Sequence, residues 1–197
     1  MRQLAWGGQA RSMSNDGSFA PIARRDVLTG MIAAGAAALI PSPLLAALPE
    51  RRLAFRNIHN GETADACYFS GGALRADGVA ELNHAMRDWR TGGAIAMDHD
   101  LFDLLVGVRE RLGLGPSMRF ELICGYRSPA TNAMLHQRSS AVASKSQHML
   151  GKAADVHFPG VPLDRLRAAG LAMGRGGVGF YPRDGFVHLD TGPVRSW

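Results

Sequence analysis

A chain of 197 residues with 46% apolar residues is long enough for one packed domain plus a leader, and too apolar for disorder. Its 22 Lys+Arg against 17 Asp+Glu give +5; four basic and two acidic residues precede Leu48, so 18 basic and 15 acidic residues remain, a net +3. That mild excess, with no basic cluster interleaved with aromatics, argues against nucleic acid and is compatible with approach to an anionic polymer such as a cell wall.

Residues 1–47 read as an export leader. Arg24-Arg25-Asp26-Val27-Leu28 opens an apolar run of 14 residues from Val27 to Ile40, Pro41 and Pro43 close it, and Leu45-Ala46-Ala47 offers small residues for cleavage. The run is short for a bilayer span, so no stable membrane span is expected after processing. The paired arginines resemble a twin-arginine export signal, with Ala23 and Val27 departing from the usual residues. Met13 is a candidate true start. Export places the protein in the periplasm or outside the cell, with residues 48–197 as the working domain.

Downstream, Leu53 to Ile58 alternates, Asn60-Gly61 fits a type I′ turn and Ala66 to Phe69 returns, which predicts a hairpin. His59 and Glu62 flank the turn. Asp77 is placed to cap a helix over 78–90, with Val79, Leu82, Ala85, Met86 and Trp89 on one face. A second helix is predicted from Asp100 to Leu112. Asp98, His99, Asp100 and Asp103 have the composition of metal ligands, but acidic residues at a helix start meet the positive end of its dipole, and that reading is preferred. Cys67 and Cys124 make no C-x-x-C pair; they either close one disulfide in an oxidising compartment or are two small buried residues.

Phe120 to Cys124 reads as a strand and Gly125 to Pro129 as a turn leaving it. Arg127, on that turn, is placed to meet a carboxylate or an oxyanion as a bidentate donor, or to bond loop carbonyls. A short helix over Thr131 to Gln137 and an exposed loop over 138–147 follow. The remaining elements are a strand ending at His157, a helix from Leu163 to Met173, and a flexible turn over 174–177. Two strands, Val178 to Tyr181 and Phe186 to Asp190, complete the chain, joined by a tight turn at 182–185.

Two of these short strands carry the chemistry. Residues two apart on a strand face one side, so Asp155 pairs with His157 and His188 with Asp190. Gly151 lets the backbone turn so that His148 can fold back onto the Asp155 face. Two imidazoles and a carboxylate would leave a fourth position for water on a divalent ion, and zinc is the usual occupant of such a site. Spacing alone does not choose between His148/Asp155/His188 and a set using His157 or Asp190.

The motifs S-x-H-x-x-G-x-A-x-D from Ser146, G-G-V-G-x-Y-P from Gly176, F-V-H-x-D-T-G from Phe186 and R-x-W from Arg195 resemble the zinc D-alanyl-D-alanine peptidase superfamily, nearest its exported murein endopeptidase K branch. R-x-L-x-F-x-N-x-H-x-G-E ending at Glu62, L-N-x-x-x-R-D-W-R at 82–90 and G-Y-R-S-P at 125–129 agree with it. The resemblance implies an α+β fold in which a small, mostly antiparallel sheet carries the ligands and helices pack on it. It implies Zn2+ held by His148, Asp155 and His188, substrate contact by Arg127, and the stem peptides of peptidoglycan as substrate. Many members place an acid three residues before the last His as general base; here that residue is Gly185, which leaves Asp184 or Asp190, with Asp184 preferred. The expected activity is a murein endopeptidase. The alternatives are a D-alanyl-D-alanine carboxypeptidase and a non-catalytic zinc-stabilised wall-binding module. His157 is left as a secondary donor or a plain structural residue.

Overall fold

Alternating apolar residues build the sheet that carries the site. The computed structural model of the protein describes residues 49–139 and 142–197, so the leader expected over residues 1–47 lies outside the described residues. Strands β1 (Arg51–Asn57) and β2 (Thr63–Ser70) form the first hairpin, and β3 (Ala73–Leu74) adds a short edge. Next come α1 (Ala76–Ala85), α2 (His99–Arg111), β4 (Arg119–Cys124) and α3 (Pro129–Arg138). After a 3-10 turn over Gln147–Leu150 follow β5 (Ala153–His157), α4 (Leu163–Ala172), β6 (Gly177–Tyr181), β7 (Phe186–Asp190) and β8 (Arg195–Ser196). The strands form one sheet in the order β3-β2-β1-β4-β5-β7-β6-β8. Only β1/β4 and β6/β8 are parallel. The α+β class and the mostly antiparallel pairing are as expected; the sheet is larger, because β3 and β8 are too short for alternation to mark them.

Three expectations change in detail. The first hairpin closes through a five-residue connection rather than a two-residue turn: Asn57 N donates to Glu62 O, and the Asn57 and Asn60 side chains accept from His59 N and Glu62 N. The first helix begins before Asp77 and stops at Ala85. Arg75 takes the N-cap position and pairs with Asp77 at 2.9 Å. Beyond Ala85 the buried Asp88 gathers the chain into a turn, accepting from Arg90 N and Ser128 N. The helix after Arg127 is longer than expected, because Ser128 Oγ caps it by accepting from Thr131 N and Pro129 sits in its first turn, where a missing N–H costs nothing.

Helix α2 behaves as its sequence requires. Asp98 is its N-cap, accepting from Asp100 N, and Leu101, Leu104, Leu105 and Val108 are fully buried. Each such side chain contributes about 1.5–3 kcal/mol by leaving water. Phe55, Phe120 and Phe158 line up across β1, β4 and the end of β5, with ring centroids 5.8 and 3.9 Å apart. Helix α1 packs on β2, α2 on β1, and α4 on β6 and β7. Among the described residues no helix is long and apolar enough to cross a membrane.

Candidate metal centre and its cleft

Strand register assembles the site. Cys124 pairs with Asp155, Asp155 with His188, and His188 with Gly179, which makes one row across β4, β5, β7 and β6. Directly paired residues point to the same face. His148 joins the row from the 3-10 turn. Ser146 Oγ caps that turn, and Gly151 ends it in the left-handed region at φ 68°, where a Cβ would lie 2.9 Å from Ala96 O.

The imidazoles are held by their far nitrogens. His148 Nδ1 donates to Gly125 O at 2.7 Å, which turns Nε2 toward Asp155 Oδ1 at 3.2 Å and His188 Nδ1 at 3.1 Å. His188 Nε2 donates to Asp190 Oδ2 at 2.9 Å, leaving its Nδ1 2.8 Å from Asp155 Oδ1. The three candidate donor atoms therefore lie 2.8–3.2 Å apart. Bonds of 2.0–2.1 Å in a tetrahedral zinc site place donors about 3.3 Å apart, so shifts of a few tenths of an ångström would seat the ion. The donor set of two nitrogens and one oxygen leaves one position open.

Charge favours a cation here. Burial works against an ionised Asp155, but the His148 charge and the bonds from His148 and His188 override it and hold the carboxyl well below the usual range. Burial likewise opposes a charged His148, and Asp155 overrides it, raising the imidazole above its ordinary value. A divalent ion would take over that attraction and displace a proton.

Asp190 is fully buried, and both its oxygens are committed. Oδ2 accepts from His188 Nε2 and Arg195 Nη2, and Oδ1 from Gly177 N, Gly192 N and Arg195 Nη1. Burial again opposes ionisation, and the bonds to His188 and Arg195 keep the carboxyl well below its usual range. Such a carboxylate fixes the tautomer and orientation of a histidine. Asp184 is exposed on the turn before β7 and lines the cleft.

Arg127 is buried beside the row, with its donors only partly used. Nη1 reaches Asn132 Oδ1 at 3.4 Å, Nη2 lies 3.6 Å from both Asp155 Oδ2 and Cys124 Sγ, and Nε has no partner among the described residues. Its turn is docked by Tyr126 N donating to Met86 O, and a Cβ on Gly125 would lie 2.4 Å from that same oxygen.

Cys124 was not anticipated at the centre. Its Sγ, with donor atoms of His148 and Asp155, forms the metal-competent group found among the described residues, all within 4.8 Å. His188 fits better as the third donor: it lines the cleft and is oriented by Asp190, whereas Cys124 does not line the cleft and contacts Arg127. Both cysteines are free thiols, on strands separated by β1, so the disulfide alternative is not realised. Missed from sequence were also the roles of Arg195 and Trp197, at the end of the noted R-x-W motif. His157 is not among the candidate donors and lies 3.5 Å from Glu121, which also pairs with Arg56. His59 stacks on Trp89 at 4.2 Å and donates from Nε2 to Ile123 O, and Glu62 pairs with Arg87. At the start of α2, Asp98 caps, Asp100 pairs with Arg175 and Asp103 binds Arg51 and Tyr68, so none of these carboxylates is left for a metal.

Together these residues line a cleft of about 410 Å³. Its lining also includes the aromatic Tyr181, Phe186 and Trp197 and the polar Lys145, Ser146 and Gln147.

A family model described as Peptidoglycan L,D-endopeptidase MepK matches residues 45–197. A relative from Escherichia coli (strain K12), named Peptidoglycan L,D-endopeptidase MepK, is 43% identical over 178 residues, 88% of this chain and 96% of the relative. One from Haemophilus influenzae, named Probable peptidoglycan L,D-endopeptidase MepK, is 39% identical over 177 residues, 88% and 94% of the two chains. No solved structure matches. With its site residues inside the matched segment, the chain belongs to the Peptidase_M15_2 family.

Proposed function

We propose that this protein is a zinc-dependent endopeptidase that hydrolyses peptide cross-links of peptidoglycan, the bond between an L- and a D-configured centre being the expected target. The carrying observation is the convergence of His148 Nε2, Asp155 Oδ1 and His188 Nδ1 within 3.2 Å in an open cleft. The names of the relatives supply the substrate class.

His148, Asp155 and His188 would hold the zinc. When bound it polarises the scissile carbonyl and makes hydroxide available near neutral pH. Everything else falls to the chain. Arg127, with an unpartnered Nε and long contacts elsewhere, steadies the scissile carbonyl oxygen as negative charge develops on it. Asp184 accepts the proton from the attacking water and returns it to the leaving amine. Both oxygens of Asp190 are occupied, which favours Asp184 for that role and gives Asp190 the task of holding His188. The two proposed histidine ligands carry their own supports: Gly125 O for His148 and Asp190 for His188.

We further propose that residues 1–47 export the domain by a twin-arginine-type route to the periplasm, supported by Arg24-Arg25 and the apolar run behind them. Replacing both arginines by lysine should leave the protein in the cytoplasmic fraction; unchanged export would refute that route.

The test of activity is digestion of purified cross-linked muropeptides with and without chelator, products identified by mass. Conversion of dimers to monomers, abolished by chelator and restored by zinc, supports the endopeptidase. Release of D-alanine alone would give a carboxypeptidase, and sacculus binding without cleavage a wall-binding module.

A further inference from the structure

We propose that Tyr181 binds the substrate directly: its hydroxyl, aimed by Trp197, donates a hydrogen bond to a carbonyl or carboxylate oxygen of the stem peptide beside the scissile bond. The inference rests on the peptidase reading above.

The direction of the bond follows from the chemistry of its partners. An indole N–H can only donate, so in the 2.7 Å contact between Trp197 Nε1 and the Tyr181 hydroxyl the oxygen accepts. The phenolic proton is then left over, and among the described residues no acceptor takes it. Donation into the oxygen also polarises its O–H and makes it a better donor. Tyr181 is half-buried and lines the cleft, so this proton is offered where substrate lies. Amine groups do not need such a donor; carbonyl and carboxylate oxygens do.

Both rings are fixed. Tyr181 stacks on Phe186 with centroids 4.6 Å apart and 21° between the planes. Trp197 is tied into the sheet beyond β8, donating from N to Val178 O and accepting at O from Phe180 N. Its indole lies over Gly179, where a Cβ would come 2.7 Å from the ring, and the Arg195 guanidinium covers it at 4.8 Å. The same indole sits 5.3 Å from the His188 imidazole. One rigid ring therefore spans from the ligand histidine to the tyrosine hydroxyl, which sets the hydroxyl's distance from the reacting bond.

The test uses the zinc-loaded full chain and two cross-linked dimers, with side-chain carboxylates free or amidated. Tyr181→Phe should lower kcat/KM about tenfold, chiefly through KM, with zinc content and melting temperature unchanged. Trp197→Phe should lower it about threefold alone and not at all when added to Tyr181→Phe. An equal Tyr181→Phe loss on both dimers assigns the acceptor as a peptide carbonyl; a loss confined to the free-carboxylate dimer assigns it as a carboxylate. Tyr181→Phe within twofold of the parent on both dimers, or a Trp197→Phe loss of the same size in both backgrounds, overturns the proposal. If the parent cleaves neither dimer, the peptidase reading fails and this inference with it; if the parent is active and Tyr181→Phe matches it, this inference fails alone.

Discussion

Two polar clusters, one half-buried and one buried, lie on the same sheet and are built to opposite ends. At β1, β2 and α2, Tyr68 donates to Asp103 Oδ1 at 2.7 Å and Arg51 donates to Asp103 Oδ2 at 2.7 Å. Each acceptor has one short donor, and burial together with the Asp103 bond pushes the Tyr68 phenol far above its usual range. At β4, β5 and β7, three donor atoms crowd within 3.2 Å of one another, while the Arg127 guanidinium keeps an Nε with no partner among the described residues and makes no side-chain contact there closer than 3.4 Å. The first cluster satisfies itself; the second leaves bonding capacity that the proposed ion and substrate would use. Unspent bonding capacity in a buried group is costly, and a protein retains it where a ligand will use it.

The comparison is broken most sharply at the ligands. His148→Ala should reduce muropeptide cleavage by roughly a thousandfold or more, since the polarisation supplied by a bound metal is worth several kcal/mol; bound zinc measured by elemental analysis should fall in parallel, with the far-ultraviolet circular dichroism retained. An unchanged rate would remove His148 from the site. Asp190→Asn comes next. It withdraws the acceptor that orients His188, and metal affinity should drop about 10–100-fold in chelator competition.

Asp88 tests whether the turn behind Arg127 is held electrostatically. Burial opposes its ionisation, but hydrogen bonds from Thr131, Ser128 and Arg90 bring its carboxyl down to about 2. Because the folded value lies below the unfolded one, its contribution is present above about pH 4 and lost as pH falls toward 2. Asp88→Asn should therefore cost about 2 kcal/mol in denaturant melts at pH 7, and the gap from the parent should close toward pH 2. A gap independent of pH would mean that shape, not charge, matters there. The smallest effect on activity belongs to the self-satisfied cluster: Asp103→Asn should cost about 1–2 kcal/mol of stability and leave kcat/KM of the folded protein within twofold. A large loss of activity would show the two halves to be coupled.

Much of this was legible from residues. The alternation of Phe186 to Asp190 matches β7 to the residue, and the leucine stripe of α2 lies where helical spacing put it. The acidic start of α2 was readable because carboxylates there meet the positive end of the helix dipole; that Asp98 is the cap is added by the structure. His148, Asp155 and His188 could be gathered from spacing and motif together, but spacing alone left His157 and Asp190 as rivals. Cross-strand register brings Asp155 and His188 together, as the proposed ligand set requires. Asp155 faces His188, while His157 faces Glu121, and no local pattern announces which residue of another strand lies opposite. Cys124 escaped for the same reason: it is 31 residues from its partner Asp155, and a regular alternation for β4 misses the irregularity between Leu122 and Cys124. The five-residue hairpin loop was hidden because Asn60-Gly61 is a sound turn signal that backbone N–H donation to the Asn57 and Asn60 side chains overrode.

The row Cys124–Asp155–His188–Gly179 carries a consequence for how the molecule is made. A slip of one residue between β5 and β7 would send Asp155 and His188 to opposite faces and abolish the ion-binding geometry. With the proposed ligands, zinc uptake would report that β4, β5 and β7 have docked in register, and the β4/β5 and β5/β7 contacts span sequence separations of tens of residues and form slowly for that reason. In a refolding experiment a zinc-sensitive dye should lose its metal to the protein only in the last kinetic phase, after helical signal has returned.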